Sequence, residues 1–408
     1  MDVVFQNARI LDVRAGALRE GAVRVADGRI AEVSEAPLRR GSAEREIDLR
    51  GRVLMPGLID AHVHVVITTM NLAAMTDRPP MLVAQEARLV LEAMARRGFT
   101  TVRDAGGADW GLAQAVERGL VRGPRIFYSG RVLSQTGGHG DFRSRSEEPC
   151  GCSIHSSAFS HVADGVAQVR RAAREELRRG ATQVKIMASG GVASPSDPIW
   201  NLQYSHEEMS AIVEEARAWR TYAMAHAYTP EAITRAVDAG VRTIEHGNLI
   251  DAPTAARMAE RGAWLVPTLV TYFAIEELGR ALGFPEVSQR KVKDVLEAGL
   301  ASLEIARAAG VPLGFGTDLL GETHDQQSRE LLIRAEVERP EDVLRSATLE
   351  NARILGREGE LGEIVEGARA DLLVAEGDPL SDLALLTEQG KHLPLVMKDG
   401  EPLVDRLG

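Results

Sequence analysis

One shape recurs through most of this chain and restricts its fold more than any other feature: a helical segment closes on a glycine and runs straight into a short apolar strand. "ARRGFTTVRDAG", "ERGLVRGPRIFYSG", "LRRGATQVKIMASGG", "VDAGVRTIEHG", "AERGAWLVPTL" and "ARAAGVPLGFGTD" all have it. Gly98, Gly119, Gly180, Gly240, Gly262 and Gly310 sit where a helix ends in a left-handed residue. Strands alternating with helices imply a parallel sheet, and strands apolar along their length imply one covered on both faces. Strands are expected over 57–64, 100–105, 125–130, 183–190, 222–228, 243–247, 264–269 and 313–318. Eight strand-then-helix units favour an α/β fold of the (β/α)8, TIM-like barrel type over an open sheet. Their unequal lengths exclude a fixed-period solenoid.

The chain ends read differently. "VVFQNARIL", "GAVRVADGRIAEV" and "REIDLRGRVLMPG" are short strands, and Asp27-Gly28 between two alternating runs signals a hairpin. After helices expected at 325–337 and 340–355, strand texture returns in "LGEIVEGARADLLVAEG" and "LPLVMKDGEPLV". The two ends, 1–55 with 361–408, are therefore expected to build one small β-sandwich domain beside a barrel of 56–360.

Within the first barrel strand, "LIDAHVHVV" places Asp60, His62 and His64 at alternate positions, which puts them on one face of an ideal strand. Other polar residues interrupt the later strands: Lys185 in "VKIM", His226 in "MAHAY", His246 in "IEHG" and Asp318 in "GFGTD". Barrel enzymes carry their chemistry at the C-terminal ends of the strands. A lone strand-end histidine is usually just a hydrogen-bonded residue. Four imidazoles and a carboxylate on one rim instead suit a borderline metal such as zinc. Asp60 has an ordinary alternative, capping a turn. A buried Lys185 is costly unless paired or neutral, and its ordinary alternative is an ion pair with Asp104 or Glu245.

Those motifs resemble the amidohydrolase superfamily along the whole chain, including the composite β domain and "GEIVEGARADLLV". The longer runs "KIMASGGVASPSDP", "AHAYTPEAI", "RTIEHGNLID" and "GFGTDLLGE" resemble its prolidase-like group, which has dinuclear metal sites. The resemblance implies two divalent ions, zinc foremost. His62 and His64 would bind the first and His226 and His246 the second. Lys185, as N6-carboxylysine, would bridge them, and Asp318 would ligate the first and carry the proton. It also implies that His139, in "SQTGGHGDFR", and Tyr228 contact substrate. The alternatives for these two are a loop-ordering histidine and a packed rim aromatic. Arg143 is a weaker candidate for a substrate carboxylate, a surface arginine being the ordinary reading. Ser189, Gly190 and Gly191 are candidates for backbone donors. His155, His161, His206, His324 and His392 read as unassigned surface or loop residues.

The group cleaves Xaa-Pro dipeptides and N-acyl amino acids, and relatives act on other carboxylate-bearing amides such as ochratoxin. Two metals sharing a water lower its pKa toward about 7, giving a bridging hydroxide that attacks the amide carbonyl. A cyclic-amide or imidazolone hydrolase and a phosphotriesterase-like enzyme share such a site and remain rival readings. A non-enzymatic scaffold protein on this fold should have lost ligands, and this chain keeps all six.

Composition agrees with a small-molecule enzyme. Hydrophobic residues make up 44% of the 408, enough for a sizeable core. A net charge of −11 without basic runs argues against nucleic acid or an anionic membrane as partner. No apolar run is long enough to span a bilayer, and the N-terminus lacks a signal-peptide pattern. A cytoplasmic homo-oligomer is expected. Cys150 and Cys152, in "PCGCSIH", read as reduced thiols or, with His155 and His161, as a small zinc site.

Overall fold

The computed structural model describes residues 2–72, 75, 78–143, 159–194 and 197–407. Cys150, Cys152 and His155 lie outside them. The N-terminal strands are β1 (Val3–Asp12), β2 (Ala17–Ala26), β3 (Arg29–Ser34), β4 (Arg45–Asp48) and β5 (Val53–Pro56). The barrel region contributes β6 (Leu58–Val63), β7 (Phe99–Asp104), β8 (Arg125–Tyr128), β9 (Val132–Ser134), β10 (Ser160–Val162), β11 (Val184–Met187), β12 (Ala223–Ala227), β13 (Thr243–His246) and β14 (Trp264–Val266). The C-terminal strands are β15 (Leu372–Ala375), β16 (Leu395–Lys398) and β17 (Glu401–Asp405).

Both chain ends enter one sheet in the order β17-β16-β15-β5-β1-β2-β3, with β4 beside β1. The expected hairpin joins β2 to β3, Ala26 pairing with Arg29. Asp27 and Gly28 there have φ of 50° and 75°, as a two-residue hairpin turn requires. Period-two alternation divides the apolar side chains between two cores. Leu372, Val374, Leu395 and Met397 pack with Val3, Phe5, Ile10 and Val25. Leu373, Ala375 and Val396 pack against Leu91, Met94 and Phe99 of the barrel. Arg125 on β8 fastens the same seam, donating to Asp371 at 2.8 Å and Asp399 at 2.7 Å.

In the barrel region β6-β7-β8 and β10-β9-β11-β12-β13-β14 are parallel runs. Tyr128 and Thr182 join them, the Thr182 N–H donating to the Tyr128 carbonyl at 2.8 Å. The eighth position is not a regular strand. Residues 313–318 nevertheless bridge both neighbours: Leu313 pairs with Leu265, Ala61 N–H donates to Phe315 O, and Asp318 N–H donates to His62 O, each at 2.8 Å. The ring closes through these bonds. All six helix-ending glycines take φ between 65° and 93°. The helix expected over 325–337 is instead a 3₁₀ turn (Gly321–Gln326) followed by a short α-helix (Arg329–Arg334). No helix among the described residues is long and apolar enough to cross a membrane.

Candidate active site

The ends of the barrel strands bring four imidazoles, a lysine and a carboxylate to one rim. His62 and His64 do share a face, with ring centroids 5.3 Å apart. Asp60 does not join them. The register against β7 shifts between Asp60 and Val63, and such a bulge breaks the alternation that placed all three together. Asp60 instead accepts from Thr317 Oγ1 at 2.6 Å and Gln327 Nε2 at 2.9 Å. It also accepts from the His62 backbone N–H at 3.1 Å, the i to i+2 bond of a turn-capping carboxylate, and burial pushes its carboxyl up to about 6.

Each imidazole has one nitrogen held by the protein. His62 Nδ1 donates to Glu245 Oε2 at 2.7 Å, and His64 Nδ1 to the Gly106 carbonyl at 2.9 Å. His226 Nε2 donates to the Gly190 carbonyl at 3.2 Å, and His246 Nδ1 is hydrogen-bonded to Thr268 Oγ1 at 2.7 Å. The other nitrogen of His62 and of His64 faces Asp318 Oδ1, at 3.4 and 3.1 Å. The rings of His62 and His226 lie 5.0 and 4.6 Å from that of His246. Donor atoms of His62, His246 and Asp318 all lie within 4.8 Å of one another, so this group could hold a metal ion. His246 and Asp318 leave their strands with φ of 75° and 52°, a left-handed conformation that costs a non-glycine residue of order 1–3 kcal/mol. Strain of this kind persists where the surroundings fix it, as at ligand sites.

Lys185 is 1% exposed and lies 3.5 Å from His62 Nε2. Neither Asp104 nor Glu245 pairs with it, and among the described residues it makes no ion pair. Burial lowers its ammonium to about 8. Asp104 instead accepts from the backbone of Val65, Gly106 and Ala108, tying down two rim loops. Glu245 is the counter-charge of Arg103, which donates to both its oxygens at 2.9 and 3.0 Å. Burial alone would raise Glu245; Arg103, then His62, bring it down to about 2.

His139 stacks on His226, centroids 4.4 Å apart, and its Nδ1 lies 3.1 Å from Asp197 Oδ2. A side chain at Gly191 would strike this ring, since a Cβ there would sit 2.3 Å from His139 Cε1. Tyr228 packs on His246 at 5.3 Å, with its hydroxyl 2.9 Å from that of Tyr272. Burial pushes the Tyr228 phenol up, so it keeps its proton.

Three expectations need correction. The Gly190 and Gly191 N–H groups are spent inside their own loop, on Asn201 O and Asp197 Oδ2. Arg143 is no surface residue: it lines the cavity and is bound bidentately by Asp141 at 2.7 and 2.6 Å. His324 is buried, hydrogen-bonded to the Ile67 carbonyl at 3.0 Å. Sequence reasoning also passed over Arg103, Asp197, Thr268 and Tyr272. An arginine inside the apolar strand "FTTVRD" was the one available signal, since a buried guanidinium demands a partner.

The amidohydrolase family model matches residues 53–403. A prolidase solved in complex with N-methylphosphonate-L-proline is 52% identical, with a TM-score of 0.96 over 98% of this chain and 99% of that one. A Xaa-Pro dipeptidase with methionine bound in its active site is 28% identical, with a TM-score of 0.89 over 98% and 99% of the two chains. The ochratoxinase of Aspergillus niger is 32% identical, covering 94% of this chain and 83% of the relative. With that geometry and these likenesses, the chain belongs to the amidohydrolase family, in its prolidase-like branch, and is a hydrolase of amide or peptide bonds.

Proposed function

We propose that this hydrolase is metal-dependent and removes the C-terminal amino acid from Xaa-Pro dipeptides and N-acyl amino acids. The observation that carries the reading is the donor set: four imidazoles, each with one nitrogen fixed by the protein, around Asp318 and a buried Lys185 that makes no ion pair among the described residues. Imidazoles oriented through their second nitrogen are the usual build of a metal site. These residues fit two divalent ions, zinc foremost: His62, His64 and Asp318 on one, His226 and His246 on the other, with Lys185 between them. Loss of one proton from the Lys185 ammonium gives the neutral amine, and its addition to carbon dioxide, with loss of a second proton, would form a carbamate that leaves no buried ammonium and offers two oxygen ligands. Divalent metal bound there supplies Lewis acidity toward the amide carbonyl and acidifies water.

The chain's own residues do the rest. Asp318 takes a proton from the attacking water and hands it to the leaving nitrogen, so the C–N bond breaks with a neutral amine departing. The Tyr228 hydroxyl donates to the amide oxygen as charge develops on it, with Tyr272 holding the phenol in place. His139, fixed by Asp197, leaves its Nε2 for substrate. Xaa-Pro bonds are tertiary amides without an N–H, and a site that acts on the carbonyl needs no such donor. The ochratoxinase relative favours a second substrate, another carboxylate-bearing amide. We assign residues 1–55 with 361–408 to a β-sandwich domain and 56–360 to the barrel.

A panel of Xaa-Pro dipeptides, N-acyl amino acids and their carboxamides, with metal-replete enzyme, tests the reading. Amidating the terminal carboxylate should lower the rate roughly ten- to hundredfold, the worth of a charged hydrogen bond. Equal rates on acid and amide, or no cleavage of any member, would retire it in favour of a ring-amide hydrolase.

A further inference from the structure

The cavity above the histidine rim is larger than a dipeptide needs. It measures about 1270 Å³, whereas small-molecule pockets run from about 300 to 1,000 Å³. On one side it is walled by Val192, Tyr228, Tyr272 and Ile275, which are buried in one apolar cluster. On the other it leaves the rim at Phe159, whose ring lies 5.3 Å from that of His64 and 5.7 Å from that of Phe142. From there it passes Val66 and enters a groove between the helices Pro80–Arg96 and Trp110–Glu117. Ala84, Leu112, Ala115 and Val121 line that groove, with Met81 and Leu120 at its margin, 76% and 69% exposed. The arginines beside it are paired, Arg78 with Glu86 and Arg88 with Glu92.

We propose that this groove receives the acyl half of the substrate, that the preferred amides carry a long unbranched hydrocarbon acyl chain, and that the walled side takes the amino acid. The inference rests on the amide-hydrolase reading and adds which half goes where and what it is made of. Continuity with the rim requires an occupant tethered to the reacting carbonyl. A peptide laid in this groove would have its N–H and C=O groups desolvated against the apolar wall, and a hydrocarbon chain has none to satisfy. Burying each methylene should raise kcat/KM about fourfold.

The test uses metal-loaded enzyme and N-acyl-L-prolines from acetyl to dodecanoyl. The expected result is a steady rise in kcat/KM with chain length, then a plateau once the chain passes Leu120. Ala84→Trp, which narrows the groove from an exposed helix position, and Leu120→Asp should each lower the ratio of decanoyl to acetyl rates at least tenfold. A flat profile, or variants that leave the ratio alone, overturns the proposal. So does a length dependence that appears only when the amine half is extended. Calorimetric binding of decanoate against acetate separates the two readings. If no N-acyl amino acid is cleaved, the proposed substrate class fails, yet decanoate binding that Ala84→Trp abolishes still supports the groove. Decanoate binding no tighter than acetate removes the groove whatever the rates.

Discussion

Glutamine at position 245 should weaken both the fold and the metal site, by amounts the structure sets. Glu245 is wholly buried and accepts from Arg103, from Thr243 Oγ1 at 2.6 Å and from His62 Nδ1 at 2.7 Å. Burial pushes its carboxyl up, but Arg103 and His62 outweigh that and hold it at about 2 rather than 4.5. A depressed carboxylate pKa contributes stability that is complete above pH 4.5 and is lost as pH falls toward 2. A fall from 4.5 to about 2, at about 1.4 kcal/mol per pKa unit, gives roughly 3–4 kcal/mol. The same loss follows from the other direction, since removing one partner of a buried pair costs about 3–5 kcal/mol. Glu245→Gln leaves the Arg103 guanidinium without a counter-charge and sets an amide –NH2 against its donors. It also leaves a single amide oxygen for His62, Arg103 and Thr243 to share, which loosens the bond that orients the His62 ring, worth about 10–100-fold in metal affinity. Denaturant unfolding of chelator-treated protein reads the first effect free of metal linkage, and zinc competition with a chelator reads the second. The expected outcome is a loss of about 3–4 kcal/mol at pH 7 that narrows below pH 4.5, with weaker metal retention. Replacing both partners with apolar residues, Arg103→Met with Glu245→Leu, should restore stability without restoring metal. A Glu245→Gln protein within about 1 kcal/mol of the parent and equally retentive of metal would refute the reasoning.

Lys185→Ala should lower bound metal and abolish turnover, with partial rescue by short carboxylic acids added with metal; normal metal content and rate would make Lys185 an ordinary buried amine. Asp318→Asn keeps size and one oxygen but removes the proton acceptor, so turnover should fall about 10²-fold or more in a folded protein. A rate within a few-fold of the parent would move the proton elsewhere. Glu330 gives a pH prediction remote from the rim. Burial raises it to about 8, and one of its oxygens has no hydrogen-bond partner among the described residues. Its contribution is therefore complete below pH 4.5 and lost as pH rises through 8, so Glu330→Gln should flatten the fall in stability over that window. Parallel stability–pH curves would contradict it.

The parts of this molecule legible in sequence are those written in local period. Apolar runs, five of them entered from a helix-ending glycine, located seven barrel strands to within a few residues, because a strand covered on both faces must be apolar throughout. The eighth position was located too, although only isolated bonds hold it. The six rim residues stood out because each is a polar interruption of an apolar strand. What escaped depends on pairings across the fold. Asp60 was misplaced by a bulge, a one-residue irregularity that alternation cannot foresee. Arg103 lies 142 positions from Glu245, and His139 lies 58 from Asp197. Nothing in the local pattern of either partner names the other. Tyr272 sits in the apolar helix Leu269–Leu278, where a tyrosine reads as packing until its hydroxyl is seen against that of Tyr228.

The central claim is that six side chains on one rim hold two catalytic metals, and a stoichiometric titration tests it most directly. Chelator-stripped protein is titrated with zinc in bicarbonate buffer while bound metal and hydrolysis of an N-acyl-L-proline are followed together. The account predicts that activity climbs to its plateau at two equivalents per chain. Full activity in protein holding no more than a trace of divalent metal would contradict it.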